Sequence, residues 1–337
     1  MLSKATSFAL AGLDAYPLTI EADITSGLPQ ITIVGLPDNA VKESRERVRL
    51  AIKNSSFSFP GGRITINLAP ADIKKEGPSF DVAIALSVLA ADEQIPAQNL
   101  LNYAFLGELA LDGRIRPVNG VLPIALACDP KTFNGLIVPF ENAKEAALAN
   151  TVNIYPVKTL TELVNFLSNP QSIPPTPCDA ESLLNQRRRS SLDFADVKGQ
   201  IHVKRGLEIA ASGGHNCIMI GPPGSGKTML AKRLPGILPD MTLPEALEVT
   251  KIHSIIGLIK NNNGIITSRP FRCPHHTASN IALIGGGSNP KPGEVTLAHN
   301  GVLFLDELGE FSSHALEVLR QPMEDLCVTV SRANRSL

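Results

Sequence analysis

Apolar and polar positions along the first half of the chain switch between a period of two and a period near 3.6, the pattern of mixed strands and helices. Residues 7–10, 18–23 and 30–34 read as strands, the last closed by Gly35. Asp38 then stands as a cap before a helix through Val41, Val48, Leu50, Ala51 and Ile52. Lys42, Arg45, Arg47 and Arg49 fall largely on its polar side, which predicts a solvated face in preference to nucleic-acid contact. Residues 63–68 alternate as a strand that Pro70 stops, and 79–90 form an apolar helix after the turn Lys75-Glu76-Gly77-Pro78. Strands at 104–109 and 135–138, with helices at 122–127, 143–149 and 160–167, complete a compact α/β domain over residues 1–167.

Periodicity stops at 168–178, where four prolines predict an extended, semi-rigid connector. A short helix at 179–186 leads to Arg187, Arg188 and Arg189, whose ordinary explanation is the helix dipole and solvent; phosphate contact is the second reading. The linker is placed at 168–191 and a second α/β domain at 192–337. Its pattern predicts helices at 201–211, 227–234, 244–256, 278–284 and 312–320, a polar turn at 260–264, and strands at 217–220, 295–300, 301–305 and 327–333.

The chemistry concentrates between the strand at 217–220 and the helix that follows. Gly221, Pro222, Pro223, Gly224, Ser225, Gly226, Lys227 and Thr228 are followed by Met229, so a strand feeds a glycine-rich turn that opens a helix. Such a turn aims backbone N–H groups at a diphosphate, its lysine reaches the outer phosphates, and its hydroxyl is placed for magnesium. The complement lies at 301–307, where an apolar strand ends in Asp306 and Glu307. Asp306 is expected to orient magnesium with Thr228, and Glu307 to polarise the attacking water, which makes Lys227, Asp306 and Glu307 the catalytic set. ATP and Mg2+ are the expected cofactors.

Composition narrows the setting. The 337 residues suffice for two domains, 43% are hydrophobic, and no unbroken apolar run reaches membrane-spanning length. The N-terminus carries one lysine and soon meets Asp14, Glu21 and Asp23, which fits neither a signal peptide nor an anchor. Five scattered cysteines suit a reducing compartment, so the expectation is a cytoplasmic chain without a membrane. A net charge of -1 leaves room only for a local basic channel, and the absence of tryptophan argues against an aromatic nucleic-acid platform. Cys273, His275 and His276 are zinc-type donors, but a structural zinc site needs four, so loop packing through imidazole hydrogen bonds is expected.

Two resemblances sharpen these expectations. Lys75-Glu76-Gly77-Pro78-Ser79 and the stretch from Leu106 to Gly120 resemble the proteolytic domain of Lon-type peptidases, implying a ribosomal-protein-like two-layer fold. Ser79 stands at the nucleophile position, but the stretch Val121 to Ala127 just after the second motif holds no lysine to activate it, so Ser79 is expected as a cap or turn residue. The segment from Asp193 to Gln200 resembles the opening of AAA+ ATPases, implying that Val197, Gly199 and Gln200 lie at the adenine.

The order of these motifs, with Phe271 to Ser279 and His299 to Glu310, resembles the magnesium-chelatase-like AAA+ family called YifB or ComM. The resemblance implies a P-loop three-layer αβα core truncated before its lid, a homo-oligomeric ring, a hexamer, and DNA as the substrate of a motor or branch-migration helicase. The family's sensor asparagine, arginine finger and lid are not matched, so this chain is expected to bind nucleotide with little or no turnover. The alternatives are an ATP-dependent Lon-like serine peptidase and a nucleotide-gated scaffold.

Overall fold

A computed structural model describes residues 2–185, 192–259, 264–287, 290–328, 331–332 and 335–336. Two compact units divide the chain, the first taking residues up to Asp179 together with Gly264, and the second taking Ala180–Ile259 and the residues from Ile265 on. Among the described residues no helix is long and apolar enough to cross a membrane.

The first unit holds β1 (Ser3–Ala11), β2 (Asp14–Thr25), β3 (Gln30–Val34), β4 (Arg63–Ala69), β5 (Tyr103–Phe105), β6 (Glu108–Leu109), β7 (Ile115–Arg116), β8 (Gly135–Pro139) and β9 (Asn153–Val157). Its helices are α1 (Asn39–Asn54), α2 (Asp81–Ala91), α3 (Val121–Ala127), α4 (Ala143–Ala147) and α5 (Leu160–Ser168). Seven strands form one sheet in the order β3-β4-β2-β1-β5-β8-β9, while β6 and β7 pair apart from it. The β1/β2 and β2/β4 pairs are antiparallel, and the other neighbours in the sheet are parallel.

Strand alternation sorts side chains between two cores. Tyr103, Phe105, Ile137 and Val157 join the core that α1, α2 and α5 supply, whereas Ala104, Leu136, Val138 and Ile154 join one that α3 and α4 supply. The structure thus adds a second helical layer to the two-layer arrangement that the sequence predicts. The strand β9, unforeseen in the sequence, contains Pro156, and its place at the sheet edge is where a proline is tolerated.

The local signals around α1 and α2 are largely met. Asp38 caps α1, its carboxylate accepting the Val41 N–H at 2.7 Å. Arg47 is the exception to the solvated face: its guanidinium turns inward and donates to both carboxylate oxygens of Asp81, at 2.7 and 3.2 Å. Every residue of α2 is buried, and its N-cap is Phe80 without a side-chain cap, so Ser79 serves as a turn residue. The connector lies along the first unit: the Thr176 N–H donates to Ile154 O at 2.8 Å, and Ile173 and Cys178 pack on the two cores.

The second unit contains α6 (Ala180–Asn185), α7 (Ile201–Gly213), α8 (Lys227–Ala231), α9 (Leu243–Ile255), β10 (Phe271–Arg272), α10 (Asn280–Ile284), β11 (Gly285–Gly286), β12 (Lys291–Pro292), α11 (Glu294–Leu297), β13 (Val302–Leu303), α12 (Ser313–Val318), α13 (Arg320–Glu324), β14 (Ser331–Arg332) and β15 (Arg335–Ser336). Thr242 and Glu245 form a capping box on α9. Within this α/β unit, β10 and β13 pair in parallel, which sets the position of the site.

Three strand expectations change. Residues 217–220 have no ladder partner among the described residues, and Ile218 and Ile220 stand 71% and 91% exposed, because an apolar run becomes a sheet strand only where a neighbour takes up its backbone groups. Residues 301–305 are half-buried and carry a two-residue ladder, since among the described residues β13 is paired to β10 alone. At 295–300 the pattern that reads as a strand is the end of α11 and its closing turn. There Leu297 and Ala298 are buried together and Asn300 closes the turn at φ 54. Arg187, Arg188, Arg189, the centre of the 260–264 turn and parts of the strand at 327–333 lie outside the described residues.

Candidate nucleotide site

The phosphate loop takes the backbone its glycines allow. Gly224 and Gly226 have φ of +76° and +86°, and Gly226 is the N-cap of α8. A Cβ at Gly224 would meet open space, whereas at Gly226 it would come within 3.3 Å of the Met229 methyl, so the loop is a clear cradle over the start of a helix. N–H groups in a first helical turn have no intrahelical acceptor and suit an anion. Gly221, Pro222, Pro223 and Gly224 are exposed along this cradle, and Ser225 is half-buried.

Lys227 and Thr228 open α8 together. The Lys227 ammonium donates to Gly221 O at 2.8 Å and Pro222 O at 3.1 Å, staying within the loop. The Thr228 hydroxyl donates to Asp306 Oδ2 at 2.7 Å, so residues 78 positions apart meet at one point. Asp306 Oδ1 accepts the N–H of Glu307 at 3.1 Å, and Glu307 adopts a left-handed backbone, φ 53, with its side chain largely exposed. The Thr228 hydroxyl and the Asp306 carboxylate form a hard-oxygen pair that fits magnesium, and the Lys227 ammonium on the same helical turn fits phosphate.

The segment expected at an adenine lies against the same loop. Val197 is buried with Leu207 and Leu230, packed by Phe194, Met219, Leu234 and Ile237, and its carbonyl accepts the Lys204 ammonium. Gly199 turns at φ +69°, and Gln200, also left-handed, donates from its amide to Ser225 O at 3.3 Å. Met229 is 41% exposed beside Leu230. Sequence reasoning passed over Arg233, which donates to Asp193 O at 2.8 Å and to Asp196 at 3.1 Å, tying the opening segment to the end of α8. The backbone N–H of Asp193, and then Arg233, hold the Asp196 carboxyl below its usual range. The position of Arg233, one helical turn beyond Met229, was the available signal.

His275, His276 and Cys273 do not converge on a common point with a fourth donor among the described residues. His275 Nδ1 is engaged with the Thr277 hydroxyl at 2.9 Å, and His276 Nδ1 lies 3.7 Å from Glu307 Oε2. Burial pushes the Cys273 thiol up, assisted by the nearby charge of Asp306.

Comparison with known proteins bears on both units. Residues 193–337 match the family model "Magnesium chelatase, subunit ChlI", and residues 20–142 match "Subunit ChlI of Mg-chelatase". The chain is 48% identical over 332 residues to competence protein ComM of Haemophilus influenzae, and 46% identical over 337 residues to the uncharacterized protein YifB of Escherichia coli. The chain belongs to the magnesium-chelatase-like ComM/YifB family. These alignments cover 98% and 100% of it and 65% of each relative, so it spans about two thirds of the length of the curated proteins it matches.

This ComM/YifB-family chain is also 27% identical over 182 residues to Lon protease of Azorhizobium caulinodans, which covers 50% of it and 21% of that protein. The two Lon-like stretches meet through the backbone: the Gly107 N–H donates to Ser79 O at 3.0 Å, and the Val82 N–H donates to Gly107 O at 3.3 Å. Asp81 Oδ2 accepts the Leu109 N–H at 3.2 Å, so their shared task visible here is architectural. Lys75, fully buried, gives its ammonium to the Pro70 carbonyl. Among the described residues no lysine amine bonds the Ser79 hydroxyl.

Proposed function

We propose that this chain is an Mg-ATP-binding AAA+ module. The observation that carries the reading is the Thr228–Asp306 hydrogen bond of 2.7 Å, which brings the hydroxyl of the phosphate loop to the acid at the end of β13. Gly221 to Thr228 would hold the phosphates, Lys227 would face the outer ones, and Thr228 with Asp306 would hold the metal. Bound magnesium supplies charge neutralisation on the phosphoryl oxygens. Glu307 polarises the attacking water, and Val197, Gly199 and Gln200 define the base end of the site.

The action of the whole protein is a wider proposal: a homo-oligomeric ring, a hexamer, working on DNA as a branch-migration motor in the cytoplasm. Its support is the kinship with ComM and YifB. In such rings a neighbouring subunit's arginine offsets transition-state charge, so turnover depends on assembly. The isolated chain is accordingly assigned nucleotide binding with slow turnover.

Calorimetric titration of the chain with ATP, with and without magnesium, tests the first claim. Wild type should bind, and Lys227→Ala should weaken binding roughly 10- to 100-fold, the loss of one or more charge-assisted hydrogen bonds. Equal affinity of the two proteins defeats the reading. Branched DNA should raise ATP turnover in a full-length relative.

A further inference from the structure

The parallel register of β10 and β13 pairs Phe271 with Val302 and Arg272 with Leu303, and the Phe304 N–H donates to Arg272 O at 2.8 Å. Both strands therefore release their following segments at the same end, where parallel sheets commonly place their chemistry. One segment carries His275 and His276, the other Asp306 and Glu307. His276 Nδ1 lies 3.7 Å from Glu307 Oε2. The His276 ring packs on His275 with centroids 4.1 Å apart and meets the edge of Phe311 at 6.5 Å. His275 spends its Nδ1 on Thr277, so His276 is the imidazole that meets the acid.

The Glu307 side chain is 69% exposed, whereas that of His276 is 29% exposed. An exposed carboxylate samples several rotamers, and fixing it costs conformational entropy at each turnover. A group that polarises water acts only in a narrow orientation, so a packed neighbour that limits those rotamers raises the productive fraction. We infer that His276 is a positioning residue for Glu307, held by His275 and Phe311 and orienting the carboxylate without itself touching nucleotide. This rests on the ATP reading of the site.

The test uses the full chain and ATP as the probe, with single-turnover hydrolysis of radiolabelled nucleotide so that slow rates are measurable. His276→Ala should lower the hydrolysis rate about tenfold while ATP affinity stays within about twofold, since orientation is lost and phosphate contacts are kept. His276→Gln, which keeps a polar N–H group facing the carboxylate, should recover most of the rate. Placed on Glu307→Gln, the His276→Ala change should have no further effect. Independently of turnover, the ring nitrogen chemical shifts of His276 should move on Glu307→Gln.

Unmoved shifts, a rise in rate with His276→Ala, or equal rate losses in the Ala and Gln variants would each overturn the assignment. Wild type binding ATP no better than Lys227→Ala would instead defeat the nucleotide reading. The shift measurement then still decides whether the two side chains are coupled.

Discussion

The Thr228 hydroxyl donates to Asp306 Oδ2 across 2.7 Å, joining the first turn of α8 to the end of β13. Two groups that share one hydrogen bond act as a unit, so their substitutions should not add. Thr228→Val and Asp306→Asn are each expected to remove most of the magnesium dependence of ATP affinity, about 10-fold or more, and the double variant little beyond either single one. A titration series at fixed ATP across magnesium concentrations checks this; fully additive losses would separate the two residues.

Burial pushes the Asp81 carboxyl up to about 6, against the opposing pull of Arg47. Its folded pKa thus lies above its unfolded value, so the stability its titration contributes is present below about pH 4 and is lost as pH rises through about 6. The difference between wild type and Asp81→Asn should therefore shift against wild type by on the order of 2–3 kcal/mol over that window and flatten above it. Denaturant unfolding of both proteins at pH 4, 5, 6 and 7 measures it. A difference that stays constant over the series rejects the assignment.

Two apolar residues near the phosphate loop should behave oppositely. Leu230 is 2% exposed in the cluster with Val197 and Leu207, while Ile220 is 91% exposed. Leu230→Ala should cost about 2–5 kcal/mol, and Ile220→Lys within about 0.5 kcal/mol. Hydrogen exchange resolved on α7 and α8 reads out both; a large loss of protection with Ile220→Lys would mean that this segment is covered.

Ser79 is expected to be inert. Its carbonyl accepts the Gly107 N–H, and Lys75 nearby is committed to Pro70 O. A fluorophosphonate probe should leave Ser79 unlabelled by mass spectrometry, and Ser79→Ala should change stability by less than about 0.5 kcal/mol. Stoichiometric labelling at this serine would restore the peptidase alternative. Gly107→Ala, by contrast, should be costly: its φ is +148°, and the added Cβ would lie 2.6 Å from the Ile115 side chain and 2.9 Å from that of Val82.

What the sequence disclosed follows from how local each cause is. The Asp38 cap, the alternation of β4 and the glycines of the phosphate loop act over a few residues, and all were legible. Arg47 was misread because the carboxylate that turns it inward lies 34 residues away. Pro156 hid β9, since a proline counts against a strand unless its place at an edge is already known. The apolar run at 217–220 was read as a strand because hydrophobicity records a tendency to pair, not the presence of a partner. In the site itself, Thr228 and Asp306 were legible as types in two motifs, but their bond was not, and neither was the contact between His276 and Glu307.

The β9 border of the first unit has a consequence for self-association. Ile154 and Pro156 share parity along the strand, so the outward backbone positions are filled by a carbonyl already bonded to Thr176 and by a residue without an N–H. A foreign strand arriving there meets one carbonyl already taken and one position without a donor, which disfavours strand addition at this border.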